Sequence, residues 1–284
     1  MRYLILLCLA IPFHTFAETS LWKVSKGNSV LFIGGTIHVL SANDYPLPEE
    51  FSRAYKQAQQ IVFETDMKEM AKPEIQQQLF QRMMHNDGKS LKDDIKEETY
   101  KALSDYLAST GSSVSRFNQF KPSMVVLNLL MSELQRLGMA GVGVDAYFNK
   151  LAILDGKTLG KLETVEVQLS VLENLGKGHE DEMILSTIAE MKELPLIMGE
   201  MKKAWRTGDI NKLEKIGLSP MKKDYPGLYR LLLVKRNNAW LPKVEALLRT
   251  AEVEFVLVGA LHLVGREGVI SQLRQLGYSV KLFK

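Results

Sequence analysis

Cysteine is nearly absent from this chain of 284 residues, and the single one, Cys8, lies close to the amino terminus. If the first 17 residues are removed on export, no thiol remains for a disulfide, a nucleophile or a metal ligand. Thiol chemistry is therefore excluded from the mature chain. Any catalytic or binding chemistry must come from histidine, carboxylate, arginine and neutral polar side chains.

Long apolar runs are also missing. The apolar run from Leu4 to Pro12 is shorter than the roughly 20 residues that cross a bilayer as a helix. It follows Arg2 and precedes a small-residue exit that ends at Ala17, which is typical of a secretory signal peptide. We therefore expect residues 1–17 to be a signal peptide and residues 18–284 to form a single periplasmic or secreted domain that does not span the membrane.

The chain has no large excess of charge of one sign, because 36 basic residues face 33 acidic ones. Nucleic acids and anionic membranes select large, clustered positive charge. Neither is therefore expected as the main partner. The sequence does not indicate an oligomeric state.

The apolar patterns predict α/β segments at both ends of the chain and a helical segment in the middle. Two runs at 21–24 and 29–33, separated by a turn, predict a β-hairpin. Further short apolar runs predict strands at 61–64, 157–162, 254–258 and 278–283. Apolar residues at three- and four-residue spacing predict helices through most of 68–137. The methionine-rich segment 180–216 is predicted to be a helical bundle, and 228–249 a further helix.

Two Gly-x-x-His segments, Gly35–His38 and Gly259–His262, each follow an apolar strand and form a weak internal repeat. Glycine lets the backbone turn sharply and approach a ligand without a Cβ clash. Ligands of α/β sheets collect where strands end, so both histidines and Glu64, which ends a third predicted strand, are candidate site residues. They meet if their strands are neighbours.

These three groups suit two different chemistries. Two imidazoles and a carboxylate can hold a divalent metal whose bound water becomes acidic near neutral pH. The same groups can also act without a metal, with a histidine as general base on water and a carboxylate that orients it. The sequence leaves both open. A lone histidine in an apolar stretch is more often a core residue, but the matching Gly-x-x-His contexts favour function.

Other polar residues are weaker candidates. Arg236 and Asn237 share a helix, and a guanidinium pointed into the cleft can clamp a carboxylate or stabilise an oxyanion. Glu163 and Glu166 lie on one face if their segment is helical, so either is a supporting acid or a solvated charge. Asp145 is equally well explained as a helix cap.

Two further histidines, His85 and His179, are predicted to be surface residues. His85 adjoins Asn86 and Asp87, and His179 adjoins Glu180. The His179 segment is not a zinc-protease helix signature, because position 183 is methionine.

Several of these motifs, taken in order, resemble the TraB/GumN family over nearly the whole mature chain. The motifs that carry the resemblance are the segments 21–24, 34–40, 63–66, 143–145, 162–164 with Gln168, 236–237 with Trp240, and 258–262. The family is similar to the Tiki metalloproteases and, more distantly, to erythromycin-esterase-like enzymes and haem-binding ChaN-like proteins. The resemblance implies an α/β fold of two related halves with a mixed sheet, a helical middle segment and an active-site cleft between the halves.

The resemblance also implies roles for individual residues. His38 and His262 would be the paired histidines, Glu64 the essential carboxylate and Arg236 the anion-stabilising arginine. The leading hypothesis is a metal-dependent peptidase or related amide or ester hydrolase. In it, His38, His262 and Glu64 hold Mn²⁺, Co²⁺ or Zn²⁺, Glu64 handles the water proton, and Arg236, Asn237 and Glu163 complete the catalytic set.

An alternative is a periplasmic haem- or ligand-binding protein of the same fold without turnover. In that case His38 and His262 coordinate the iron, and the methionine-rich segment with Met183, Met191 and Met198 lines an apolar pocket. Such a segment is more often plain core packing. A haem titration that gives a Soret band, lost in His38→Ala, would favour this alternative over hydrolysis of peptides.

Overall fold

The computed structural model describes residues 19–284, so the predicted signal peptide lies outside the described residues. The strands are β1 Leu21–Lys26, β2 Ser29–Thr36, β3 Val39–Leu40, β4 Gln60–Phe63, β5 Gly141–Val142, β6 Thr158–Lys161, β7 Glu254–Gly259 and β8 Ser279–Leu282. The predicted strands are present with shifted ends. The short pair β3 and β5 is additional to them.

The first half of the described residues contains seven helices, of which the fifth and sixth are the longest. They are α1 Glu49–Gln57, α2 Met67–Met70, α3 Pro73–Arg82, α4 Leu91–Asp94, α5 Glu97–Ser109, α6 Pro122–Arg136 and α7 Val144–Leu154. Short 3-10 turns lie at Ala42–Asp44 and Val114–Phe117.

The second half is also mostly helical. Its helices are α8 Val165–Glu173, α9 Glu180–Glu190, α10 Leu194–Arg206, α11 Ile210–Leu213, α12 Ser219–Asp224, α13 Pro226–Tyr229, α14 Lys235–Leu247 and α15 Val269–Gln275. Two π-helical segments, Glu214–Leu218 and Arg230–Val234, and a 3-10 turn, Ala260–His262, connect them. Within residues 19–284, no helix has both the length and the apolar character to cross a bilayer.

The main sheet is mixed and six-stranded, in the order β6-β4-β7-β2-β1-β8. Strands β6, β4, β7 and β2 are parallel, whereas β1 is antiparallel to both β2 and β8. The β1–β2 hairpin turns at Gly27, whose φ of +60° favours glycine. The fold is therefore α/β with a mixed sheet, as the sequence predicts.

Pairing in the centre of the sheet places the two Gly-x-x-His segments side by side. In the parallel pair β2 and β7, Thr36 is opposite Gly259, so both loops leave the same edge of the sheet. Strand β4 lies on the other side of β7, with Phe63 opposite Leu257. The chain after Phe63, which begins with Glu64, therefore starts at that same edge.

Two apolar clusters cover the sheet. Because side chains alternate along a strand, Phe255 packs in one cluster with Phe51, Phe148 and Trp205, while Val256 packs in the other. Trp22 and Trp240 belong to the second cluster. A third cluster joins helices α5, α6 and α9, and it contains Leu103, Leu129, Met183, Ile184 and Met191.

The segment 180–216, which the sequence pattern predicts to be a helical bundle, consists of several helices in the structure. Helix α9 ends at Glu190, and α10 begins at Leu194, directly before a proline. Gly208, at φ +63°, ends the next helix where a Cβ would lie 3.0 Å from the Thr19 carbonyl oxygen. These breaks fold the segment back on itself. Met183 and Met191 accordingly pack in the helical core.

Candidate active site

His38, Glu64 and His262 converge at the carboxyl ends of β2, β4 and β7. A Cβ placed on Gly259 would lie 3.3 Å from Glu64 Oε1, 3.5 Å from His262 Cδ2 and 3.8 Å from His38 Nε2. His262 Nε2 is itself 3.9 Å from Glu64 Oε1. Glycine at position 259 therefore leaves open the small space that the three side chains share.

Glu64 is held as a mostly buried carboxylate, with 13 % of its side chain exposed. Its Oε1 accepts the Gly259 N–H at 2.7 Å, and its Oε2 accepts Arg236 Nη2 at 2.6 Å and Gln168 Nε2 at 3.2 Å. Burial raises the pKa of Glu64, but its interactions with His262, Arg236 and His38 and the Gly259 hydrogen bond outweigh burial and lower the pKa to about 2. Glu64 therefore stays charged across the physiological range.

Arg236, on α14, is buried and has all five N–H donors engaged. Its Nε lies 3.1 Å from both Glu163 oxygens, and its Nη2 donates to Glu64 and Glu163 at 2.6 Å. Its Nη1 donates to the Leu232 carbonyl at 3.2 Å and to His262 Nε2 at 3.1 Å. The guanidinium therefore links both carboxylates to the imidazole.

Glu163 is a second buried carboxylate of the same network. Besides Arg236 it accepts Trp240 Nε1 at 2.8 Å and Gln168 Nε2 at 2.9 Å. Its backbone N–H donates to the Glu64 carbonyl at 2.8 Å, which ties the two acidic loops together. Glu166, the other sequence candidate, is exposed and pairs with Arg82 at 2.7 Å, outside this network.

His262 is buried in one defined tautomer. Arg236 only donates, so His262 Nε2 accepts and Nδ1 carries the proton, which it donates to Asn237 Oδ1 at 2.6 Å. Asn237 Nδ2 in turn donates to the His262 carbonyl at 3.2 Å. Burial, aided by Arg236 and His38, lowers the pKa of His262 to about 3 despite Glu64. The imidazole is therefore neutral.

His38 differs from His262 because its side chain is reachable from solvent, with 63 % of its surface exposed. Its Nδ1 lies 3.1 Å from Asp145 Oδ1. Desolvation in the cleft lowers the pKa of His38, but Asp145 and the charge of Glu64 outweigh it and raise the pKa. His38 is therefore more basic than a free imidazole.

The first turn of α7 positions Asp145 next to His38. Val144 donates its N–H to the Ile37 carbonyl at 3.0 Å, and a Cβ at Gly143 would overlap the His38 carbonyl group. The missing side chain at Gly143 therefore permits this close approach. Asp145 makes no capping hydrogen bond, so it faces His38 and does not cap the helix.

A cavity of about 410 Å³ opens beside His38 and Glu64. Its lining includes residues of the central strands β2, β4 and β7 and Met67 and Met70 of the short helix α2. Thr36 and Thr65 are among its lining residues, and their hydroxyls are buried and have no hydrogen-bond partner. An isolated threonine after a strand has no distinctive pattern, so neither residue is predicted from the sequence.

The two remaining histidines lie apart from this cluster. The prediction that His85 is a surface residue is wrong: only 5 % of its side chain is exposed, and its Nε2 lies 3.0 Å from Asp94 Oδ2. Packing of the loop after α3 against the start of α6 buries this polar pair, which local composition does not reveal. His179 is exposed, as predicted.

The donor set does not fit a divalent cation in this arrangement. His262 Nε2 already accepts a hydrogen bond from Arg236, and Glu64 Oε2 faces the same guanidinium. Among residues 19–284, no group of three His, Cys, Asp or Glu side chains has the arrangement of a metal site. A third ligand would require Arg236 to release His262.

Fold and site together define an α/β protein whose acid–base cluster lies at the carboxyl ends of adjacent parallel strands. The model of the TraB/PrgY/gumN family matches residues 20–282, and the chain belongs to this family. It is 26 % identical over 255 residues to the uncharacterized protein YbaP of Escherichia coli (strain K12), covering 87 % of this chain and 89 % of that protein.

The YbaP protein of Shigella flexneri is similar to the same degree, 26 % over 255 residues. No solved structure matches the chain. The relatives therefore support the family, and the chemistry rests on the site itself.

Proposed function

We propose that this protein hydrolyses amide or ester bonds of a peptide or small substrate, with His38 as the general base on water. The observation that carries the proposal is the placement of His38. Its Nδ1 contacts Asp145, while its Nε2 faces Glu64 and the shared space at Gly259. A solvent-accessible imidazole oriented by a carboxylate is the arrangement that general base catalysis requires.

The steps follow from these positions. A water beside His38 Nε2 and Glu64 Oε1 attacks the substrate carbonyl carbon while Nε2 takes one of its protons. The Asp145 carboxylate stabilises the imidazolium that forms, as in other carboxylate–histidine pairs. Collapse of the tetrahedral intermediate breaks the bond to nitrogen or oxygen, and the imidazolium returns its proton to the leaving group. The products are a carboxylic acid and an amine or alcohol.

Arg236 acts in this proposal as a positioning residue. Its five donors hold Glu64, Glu163, His262 and the Leu232 carbonyl. The oxyanion role implied by the family resemblance requires one of these partners to be released. Its fixed positive charge keeps Glu64 ionised and fixes the tautomer of His262, which Asn237 also supports.

Metal dependence of the hydrolysis stays a prediction. Its test is exhaustive chelation followed by addition of Mn²⁺, Co²⁺ or Zn²⁺ to the wild type and to His262→Ala. Activity that survives chelation supports catalysis by side chains alone. Activity that is lost and returns with the metal only in the wild type would show that Arg236 releases His262 to a cation.

No contact favours the haem-binding alternative, which also stays a prediction. Both ring nitrogens of His262 are hydrogen-bonded, and Met183 and Met191 pack in the helical core away from the cavity. A Soret band on haem titration that is lost in His38→Ala would support the haem-binding alternative.

We also propose that the protein is exported, on the strength of the amino-terminal pattern of Arg2 and the apolar run that ends before Glu18. Cell fractionation and amino-terminal sequencing test this. The expected mature chain begins at Glu18, and an intact Met1 in the cytosolic fraction would contradict it.

The experiment for the function itself is a screen of a peptide library and chromogenic esters with purified mature protein. Wild type and His179→Ala, the exposed-histidine control, should cleave the same substrates. His38→Ala should lose about 10²-fold or more in kcat/KM, the usual contribution of a general base. Equal activity in His38→Ala would refute the assigned base.

A further inference from the structure

The cavity beside His38 has the volume and the lining of a small-ligand pocket. Its volume of about 410 Å³ falls in the range of roughly 300–1,000 Å³ typical of small-ligand pockets. Phe63 and Leu257 at the strand ends and Met67 and Met70 on α2 provide an apolar lining. Apolar lining next to a polar reaction centre indicates that the ligand places a hydrocarbon group there.

Two residues of the cavity lining, Thr36 and Thr65, carry buried hydroxyls without a hydrogen-bond partner. Thr36 is 3 % exposed and Thr65 is 8 % exposed, and neither Oγ1 has a hydrogen-bond partner. A buried hydroxyl without a partner is unfavourable. An occupant that supplies a carbonyl or amide group to these hydroxyls would satisfy them.

We propose that this cavity binds an aliphatic group next to the scissile carbonyl of the substrate, with Thr36 and Thr65 hydrogen-bonded to an adjacent amide. The proposal rests on the hydrolytic function and specifies its substrate class: amides or esters of acids with a medium-length apolar side chain. Helix α2 and its C-cap residue determine this specificity through Met67, Met70 and Ala71, which line the cavity. Its position is fixed because the Asp66 side chain caps it by accepting the Glu69 N–H at 2.9 Å.

The test measures binding of the N-acetyl amides of alanine, norvaline and norleucine by NMR titration. The protein is His38→Gln, which removes the proposed base while keeping a long side chain, so turnover does not interfere. Each added methylene that is fully buried tightens binding about fourfold. Because the cavity is partly open, we expect roughly tenfold tighter binding of the norleucine amide than of the alanine amide.

Two tryptophan substitutions, at the C-cap of α2 and within α2, form a matched pair. Ala71→Trp fills the cavity and should abolish the dependence on chain length. Lys68→Trp, on the same helix but outside the cavity lining, should preserve it. Equal binding of the three amides, or the same effect of both tryptophans, would overturn the proposal.

The threonines are tested by Thr36→Val and Thr65→Val, which keep the shape of the side chain. We expect each to weaken binding of all three amides by a similar factor, about fivefold for a lost hydrogen bond. The thermal midpoint should not fall, because neither hydroxyl has a partner in the free protein. Unchanged binding would show that the hydroxyls do not contact the ligand.

The outcomes separate this proposal from the hydrolytic function. Suppose that the wild type cleaves none of these amides or their esters, while His38→Gln binds the amides with an affinity that increases with chain length. The binding pocket is then confirmed, and the hydrolytic function is refuted. If the wild type cleaves them all with the same KM, the hydrolase stands and the pocket is refuted.

Discussion

At the scale of residues, the cleft holds two histidines in opposite states. His38 is accessible and made more basic by Asp145, whereas His262 is buried, neutral and fixed between Arg236 and Asn237. Environments that drive the pKa values of neighbouring groups apart are typical of acid–base sites. The difference assigns the reactive role to His38 and the supporting role to His262.

The pH dependence of hydrolysis follows from this assignment. A general base works when deprotonated, and the pKa of His38 is raised above 6.5, so kcat/KM should increase with pH beyond neutrality. Asp145→Asn removes the main stabiliser of the imidazolium. In this variant the rise of kcat/KM with pH should therefore begin at lower pH, and the maximal rate should be lower. Steady-state pH profiles of both proteins measure this. A wild-type rate that declines as pH rises past 7 would instead make His38 an acid.

Stability should depend strongly on Arg236. Arg236→Met leaves Glu64 and Glu163 buried without their cation, so we expect a loss of about 3–5 kcal/mol in the free energy of unfolding. Urea denaturation measures it. Arg82→Met, which breaks the exposed pair with Glu166, is the matched control and should scarcely move the midpoint. Similar midpoints for the two variants would contradict the structural role of the buried cluster.

At the scale of elements, two glycines let the catalytic loops approach one another closely. Gly259 leaves the shared space between the three side chains, and Gly143 lets the start of α7 approach the backbone of His38. The sequence identified the first through its Gly-x-x-His context. The second was visible only as a glycine near Asp145, because the approach it permits is between segments about 100 residues apart.

Gly143→Ala tests this packing. The added Cβ meets the carbonyl group of His38, so α7 must move and carry Asp145 away. We expect a lower melting temperature and a loss of hydrolysis similar to that of Asp145→Asn. The control is Gly199→Ala in α10, where nothing lies within 4 Å of the added methyl and helix propensity predicts slight stabilisation. If both variants behave alike, the close approach does not position Asp145.

At the scale of the whole molecule, the sequence predicted the strands and the α/β class but not their order. Apolar runs with turns reveal strands locally, whereas the β2–β7 pairing joins residues more than 200 positions apart. The sequence could therefore predict the convergence of His38, Glu64 and His262 only if their strands were neighbours in the sheet. The partner of His38 and the two cavity threonines could not be predicted, because their role comes from tertiary packing alone.

The account depends on two histidines that share one cleft while differing in protonation, and NMR titration of the imidazoles measures this directly. We predict that His38 titrates above 6.5 and that His262 remains the neutral Nδ1–H tautomer between about pH 5 and 8. Asp145→Asn should lower only the His38 value. Protonation of His262 within that interval, or a His38 pKa below that of free imidazole, would contradict the account.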